Sequence, residues 1–119
     1  MKTFFKSGAI YVSGLPVGKA GDNCTFSVTE DGLHLFHPGL TGKWKYDIAW
    51  EDVRGARTEV LQKRTLTRLV LGGLLFGGKK KIQSLIISYG PENFVADLIL
   101  TKLNAPKAQQ AILKAKMPT

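Results

Sequence analysis

Residues 25–36 of this chain read TFSVTEDGLHLF. Phe26 and Val28 alternate with hydroxyl-bearing residues, and two leucines continue the alternation in the second half of the segment. A period of two is typical of strands that bury one face. Asp31-Gly32 separates the two runs, and Asp-Gly at that place is a strong signal for a tight hairpin turn. The segment therefore predicts two antiparallel strands joined by a turn.

The next alternating run, KWKYDIAW at residues 43–50, predicts a strand with one face in water. Its apolar face holds four large residues: Trp44, Tyr46, Ile48 and Trp50. Its other face holds Lys43, Lys45 and Asp47. Strands of parallel sheets are usually apolar on both faces, so a polar face of this kind favours antiparallel pairing.

Four more strands are predicted from similar runs, over residues 56–61, 65–71, 82–89 and 93–100. The total is about seven strands, and the first 100 residues contain no helix longer than a turn near residues 51–53. Closing such a sheet on itself would remove exposed strand edges, which otherwise invite aggregation.

The C-terminal residues change to a helical period. Asn104 is a good N-cap, and Pro106 is tolerated in the first turn, where its missing N–H would be unpaired anyway. Apolar residues then follow at i, i+3, i+4 and i+7: Ala108, Ala111, Ile112 and Ala115. The predicted fold class is mainly β, an antiparallel barrel of about seven strands capped by one C-terminal helix. Residues 1–9 are expected to form an N-terminal arm, and residues 10–119 a single domain.

The composition is that of a packed globular domain, with 44% apolar and 22% charged residues. The single cysteine, Cys24, cannot form an internal disulfide, so a reducing cytoplasm is the simplest compartment. The longest apolar run, residues 69–78, is ten residues long, whereas a membrane-spanning helix needs about twenty. The start of the chain lacks the continuous apolar core of a signal peptide. We expect a soluble cytoplasmic protein with no transmembrane segment.

The formal net charge is +8, and all of the excess lies in the second half of the chain. Residues 1–59 contain seven basic and seven acidic residues, whereas residues 60–119 contain ten basic residues and two acidic ones. A basic face of this kind attracts polyanions, which include nucleic acid, anionic lipid headgroups and acidic protein patches. The alternative is that the lysines only keep a small domain soluble.

The sequence GGLLFGGKKK at residues 72–81 comes within one residue of the phosphate-binding loop G-x-x-x-x-G-K-[ST]. The missing hydroxyl is the one that holds magnesium, and a strand is predicted next where that loop would begin a helix. A glycine-rich strand that bends sharply is therefore favoured over a nucleotide site. The triplet Lys79–Lys81 is either a solvated loop, whose apolar neighbours are in the core or bury against another copy of the chain, or a contact with an anionic membrane surface, where each lysine contributes roughly 1 kcal/mol.

No motif predicts catalysis, a metal site or a cofactor. His34 and His37 are three positions apart in the sequence, so on a strand they point to opposite faces and make poor partners for one metal ion. The chain has no G-x-S-x-G nucleophile motif, and Glu51-Asp52 is better explained as the acidic start of a short helical turn. We expect a protein that is not an enzyme.

The order of these elements resembles the pleckstrin-homology-like (PH-like) superfold, in particular its bacterial PH and GRAM-like branch. The resemblance rests on TFSVTEDGLHLF (25–36), YDIAWEDVRGA (46–56) and RTLTRLVLGGLLFGGKKKIQSLIIS (64–88), and it covers residues 10–117. It implies a seven-stranded barrel capped by the C-terminal helix. Lipid-binding PH domains carry a basic pattern around their first hairpin. Here the corresponding hairpin has Glu30 and Asp31, which argues against a phosphoinositide site there.

The predicted function is a non-enzymatic PH-like binding module that docks an anionic membrane surface or an acidic protein partner. The predicted binding residues are Arg64, Arg68, Lys79, Lys80 and Lys81, and the predicted apolar contacts are Leu74, Leu75 and Phe76. The alternative is a self-associating structural protein, a homo-oligomer assembled through residues 69–76. Nucleic-acid binding comes third, because the aromatic residues of 43–50 lie on the face opposite the lysines. The location expected is the cytoplasm, peripheral at the inner membrane surface.

Overall fold

The computed structural model describes residues 2–39, 42–62, 81–91 and 93–116. Its elements, in chain order, are β1 (Thr3–Ser13), β2 (Asn23–Thr29), β3 (Gly32–His37), β4 (Trp44–Ala49), a 3-10 turn (Trp50–Asp52), β5 (Val53–Gln62), β6 (Lys81–Tyr89), β7 (Ala96–Thr101) and helix α1 (Ala105–Lys116). The strands form one antiparallel sheet in the order β4-β3-β2-β1-β7-β6-β5. The prediction of a mainly β fold with seven antiparallel strands and one C-terminal helix is confirmed.

The predicted hairpin at residues 25–36 is also confirmed. Thr29 pairs with Gly32 across a two-residue turn, and the Thr29 hydroxyl accepts a hydrogen bond from the Asp31 N–H at 3.2 Å. Gly32 has a φ of 146°, and a Cβ there would collide with the Ile48 carbonyl on β4. Glycine is therefore required where β3 meets β4 as well as by the turn.

One of the seven strands is not the one predicted from the sequence. Residues 3–9, expected to be an arm, are the first part of β1 and pair with β2 from Thr3 onward. Lys6, Ser7 and Gly8 interrupt the apolar pattern, but Lys6 pairs with Ser27 on β2 and backbone pairing does not need apolar side chains. The strand predicted at residues 65–71 lies outside the described residues.

The long strand β1 joins the two halves of the sheet. Residues 3–10 pair with β2, and residues 10–13 pair with β7 after a register shift between Tyr11 and Ser13. Leucines and isoleucines of both halves meet in one core together with α1. The sheet curls far enough that Tyr46 on β4 and Tyr89 on β6 lie with ring centroids 6.2 Å apart.

Helix α1 begins as predicted. The Asn104 side-chain oxygen accepts a hydrogen bond from the Lys107 N–H at 3.2 Å, which is an N-cap. Ala105, Ala108 and Ile112 are fully buried against the sheet. The Gln109 side chain donates to the Ala56 carbonyl of β5 at 3.0 Å. A short helix is marginal alone, so this docking is what stabilises it.

The two halves of the sheet differ in their outer face. On β4 the outer residues Lys45 and Asp47 are exposed, as the alternation predicts. Six outer residues of β1, β6 and β7 are buried instead: Ile10, Val12, Ile82, Ser84, Ile86 and Thr101. The second half therefore buries apolar side chains on both faces of its sheet.

Candidate functional site

Most of the predicted binding residues lie outside the described part of the chain. This holds for Arg64, Arg68, Lys79 and Lys80, and for the apolar contacts Leu74, Leu75 and Phe76. Lys81 is the first residue of β6, where its backbone pairs with Gln62 at the end of β5. The candidate surfaces below are therefore built from other residues.

The first hairpin of the fold is not the one that carries Glu30 and Asp31. Because β1 precedes β2, the first hairpin is β1–β2, and its loop of residues 14–22 reads GLPVGKAGD. That loop carries Lys19, so the acidic pair at Glu30-Asp31 does not bear on the charge of the first hairpin. The assignment of Glu30 and Asp31 to the first hairpin is wrong, because residues 3–9 form part of a strand rather than an arm.

A cavity of about 480 Å³ lies between the β1–β2 loop and the β3–β4 connection. Lys19 and Asp22 reach it from the first loop, and His37, Lys43 and Trp44 from the second side. The Trp44 ring forms part of the cavity wall. A Cβ at Gly18 would lie 2.9 Å from that ring, so only glycine allows the loop to pass so close to it.

Asp22 organises this cavity. Its carboxylate accepts hydrogen bonds from Trp44 Nε1 at 2.8 Å and from the Lys19 N–H at 2.9 Å, and His37 Nε2 lies 3.8 Å from its other oxygen. Burial alone would raise the pKa of Asp22, but these two hydrogen bonds and the nearby His37 hold the pKa below its ordinary value. Asp22 is therefore a structural anchor that fixes the loop on β4.

A second candidate surface is the exposed face of α1 with the residue that leads into it. The chain from 98 to 116 contains four lysines and no acidic residue: Lys102, Lys107, Lys114 and Lys116. Lys107 and Lys114 are exposed on the helix face that points away from the sheet, and Leu113 beside them is 46% exposed. Lys116 bonds the Val53 carbonyl through its Nζ. We call Lys102, Lys107, Leu113 and Lys114 the basic helix face.

The two histidines make separate networks. His34 Nδ1 lies 2.7 Å from Asp47 Oδ1, and His34 Nε2 lies 2.8 Å from Thr29 Oγ1. This chain of hydroxyl, imidazole and carboxylate has the order of a catalytic triad, but Thr29 is 5% exposed and its hydroxyl already accepts the turn N–H of Asp31. It links β2, β3 and β4 structurally.

Two observations bear on metal and thiol chemistry. Within the described ranges, no three His, Cys, Asp or Glu residues gather closely enough to hold a metal ion. Cys24 is buried, and burial, with the charge of Asp22 as a smaller contribution, raises the pKa of its thiol to about 11. At neutral pH the side chain is therefore a protonated thiol, which is a poor nucleophile.

The aromatic residues of β4 and of the 3-10 turn that follows it pack on the core, as predicted. Trp44, Tyr46 and Trp50 all contact the main cluster, and Trp50 Nε1 donates to the Thr29 carbonyl at 3.1 Å. The sides of these rings that pack on the core are not available for stacking nucleic-acid bases.

Comparison with known proteins adds no family. No family model matches the chain, and no curated protein matches it either. In the part of the chain that the structure describes, no helix combines the length and the apolar character needed to span a membrane.

Sequence reasoning missed the residues around Asp22. The signal was present as the glycine-rich run of residues 14–22, which has the composition of a connection between strands. This run does not predict a hairpin loop by itself, because no strand is predicted before it.

Proposed function

We propose that this protein is a non-enzymatic module that binds an anionic membrane surface, with the basic helix face as part of the contact. The observation that carries the proposal is the acid-free run of residues 98–116, whose Lys107 and Lys114 are exposed on one side of α1. A docked helix holds these charges in fixed positions, so the potential they create is directed outward.

The exposed side chain of Leu113 favours a membrane surface as the binding target over a partner that is bound through charge alone. Leu113 directly precedes Lys114 in the sequence, its side chain is exposed, and it is not among the residues that pack on the core. An apolar side chain among lysines can enter the interfacial region of a bilayer while the ammonium groups contact headgroup phosphates. Lys81 and the basic residues 63, 64, 68, 79 and 80, which lie outside the described residues, would add to the same charge.

Vesicle sedimentation tests the proposal. The wild type is compared on phosphatidylcholine vesicles and on vesicles rich in phosphatidylserine, and it is expected to bind only the second. The double variant Lys107→Gln, Lys114→Gln should bind about 30-fold more weakly, because each lysine contributes roughly 1 kcal/mol at an anionic surface.

The matched control is the double variant Lys6→Gln, Lys45→Gln. Both residues are exposed and lie in the half of the chain that has no net charge, so the control removes the same two charges from a different surface. An equal loss in both double variants would mean that net charge alone drives binding, and would refute a specific face. Negligible binding of the wild type to both vesicle types would refute the membrane and leave an acidic protein as the partner to test.

A further inference from the structure

A second cavity, of about 470 Å³, opens at the β6–β7 turn. Three aromatic rings line it, those of Tyr46, Tyr89 and Phe94, and Pro16 and Pro91 extend the apolar lining. Its size falls within the range of small-molecule pockets, roughly 300–1,000 Å³. Phe94 is 74% exposed, so its ring stands at the surface where a ligand would arrive.

The two tyrosine rings and the Phe94 backbone are positioned by specific contacts. Tyr46 and Tyr89 meet at an interplanar angle of 66°, and the Tyr89 hydroxyl bonds the Gly14 carbonyl. Burial raises the pKa of Tyr89 to about 12, with Tyr46 as a smaller contribution, so the ring is a neutral phenol at pH 7. Phe94 is held by the bond from its N–H to the Pro91 carbonyl, 2.9 Å long.

Asp52 is the one charged residue among the described residues that line this cavity. Its carbonyl accepts the Gly90 N–H at 2.8 Å, which anchors the 3-10 turn to the β6–β7 turn. Within the described ranges its carboxylate has no hydrogen-bond or ion-pair partner. Arg54 lies nearby and donates from Nε to the Gly90 carbonyl at 2.8 Å.

We infer that this cavity binds a quaternary ammonium group. Such a cation has no N–H to donate, so it needs no hydrogen-bond acceptors and can pack its methyl groups against aromatic rings, whose faces attract the positive charge. A primary ammonium group would need acceptors for three donors, and this lining is mostly apolar. The carboxylate of Asp52 supplies the opposite charge. The site is separate from the basic helix face and does not depend on membrane binding.

The first experiment compares choline chloride with 3,3-dimethyl-1-butanol, its neutral carbon isostere, by NMR titration of the labelled protein. Choline should shift the amide signals of residues 90–94 saturably, with a Kd on the order of 1 mM, and the isostere should bind at least ten-fold more weakly. Equal affinity for the two would show an apolar pocket with no preference for charge and would overturn the inference. No saturable shift with choline would overturn it too.

Substitutions of two phenylalanines then test whether choline binds in this cavity. Phe94→Leu keeps an apolar side chain but removes a ring, and it should weaken choline binding about two- to five-fold, the effect of a cation–π contact at an exposed ring. Phe94→Trp should preserve or strengthen binding because indole is the better cation–π partner. Phe36→Leu is the matched control, since Phe36 is also partly exposed but its ring lies near Lys43 elsewhere on the surface. If Phe36→Leu weakens binding as much as Phe94→Leu, the cavity is not the site.

The same trimethylammonium group occurs on choline lipids and on trimethylated lysine. Phosphocholine and a short peptide with one trimethyllysine are therefore titrated separately, each against its unmethylated counterpart, to identify the source. Binding of either methylated probe but not its counterpart supports the inference. Tighter binding of both unmethylated counterparts would refute it. All of these probes are soluble, so the titrations do not depend on membrane binding. A protein that fails to bind vesicles can still bind choline, and a protein that fails to bind choline can still bind vesicles.

Discussion

Replacing Ile112 by alanine tests whether α1 is docked on the sheet as the structure has it. Ile112 is 1% exposed and packs in the main core. The substitution removes three carbon atoms, which at about 0.8 kcal/mol per buried methylene is roughly 2.4 kcal/mol, and the cavity left behind adds to this. We expect a loss of about 3 kcal/mol in the free energy of unfolding. For a chain of this size that corresponds to a fall in Tm of about 12 °C.

The adjacent residue provides the control. Leu113 is 46% exposed on the same helix, so Leu113→Ala should change the free energy of unfolding by less than about 1 kcal/mol. Urea denaturation followed by tryptophan fluorescence measures both variants, because Trp44 and Trp50 contact the core. If Ile112→Ala lowers the free energy of unfolding no more than Leu113→Ala does, the helix is not docked through the face assigned to it. The basic helix face would then not be the exposed side of α1. The same Leu113→Ala protein should bind phosphatidylserine vesicles more weakly, which separates surface contact from folding.

Three further predictions concern stability and reactivity. Because the folded-state pKa of Asp22 is lowered, its carboxylate stabilises the fold above its ordinary pKa of 3.8, and that contribution is lost as pH falls through the lower folded value. The stability difference between wild type and Asp22→Asn in urea denaturation should therefore shrink between pH 7 and pH 3, and a constant difference would contradict the assignment. Gly14→Ala should destabilise the protein by about 1–3 kcal/mol or more, because Gly14 has a φ of 110° and a Cβ there would collide with the Asp97 carbonyl. Gly8→Ala, with nothing within 4 Å of the new Cβ, should leave the Tm nearly unchanged. Cys24, with its pKa of about 11, should react with a thiol reagent in the folded protein far more slowly than in urea; equal rates would show that the thiol is accessible.

The hairpin at residues 25–36 and the helix at the C-terminus could be predicted because their signals are local. Asp31-Gly32 encodes a turn, and Asn104 with the spacing of Ala108 and Ile112 encodes a capped amphipathic helix. Both signals lie within a few residues of the structure they specify.

Strand β1 could not be predicted in the same way. Its N-terminal part contains Lys6, Ser7 and Gly8, which show no clear alternation. It is a strand because β2 supplies backbone partners along its length and β7 extends the pairing at its other end. Those partners are distant in sequence, so no local pattern reveals them.

For the candidate sites too, some features are visible in the sequence and others only in the structure. The positive excess of residues 60–119 is visible in the sequence, and so is the acid-free run that becomes α1. That Tyr46, Asp52, Tyr89 and Phe94 share one cavity is not visible, because they come from separate segments that meet only when the sheet curls.

The amino-acid sequence by itself determined the antiparallel class, the hairpin at residues 25–36, the capped helix and the half of the chain that carries the positive excess. Each of these depends on residue types within a few positions of one another, where turn geometry, side-chain alternation and capping act directly. Only the tertiary structure decided that β1 bridges two half-sheets, that Asp22 bonds to Trp44 and so holds a loop against β4, and that three aromatic residues line one cavity together with Asp52. These contacts join residues far apart in the chain, and they form because the whole sheet must curve around one shared core to bury its apolar side chains.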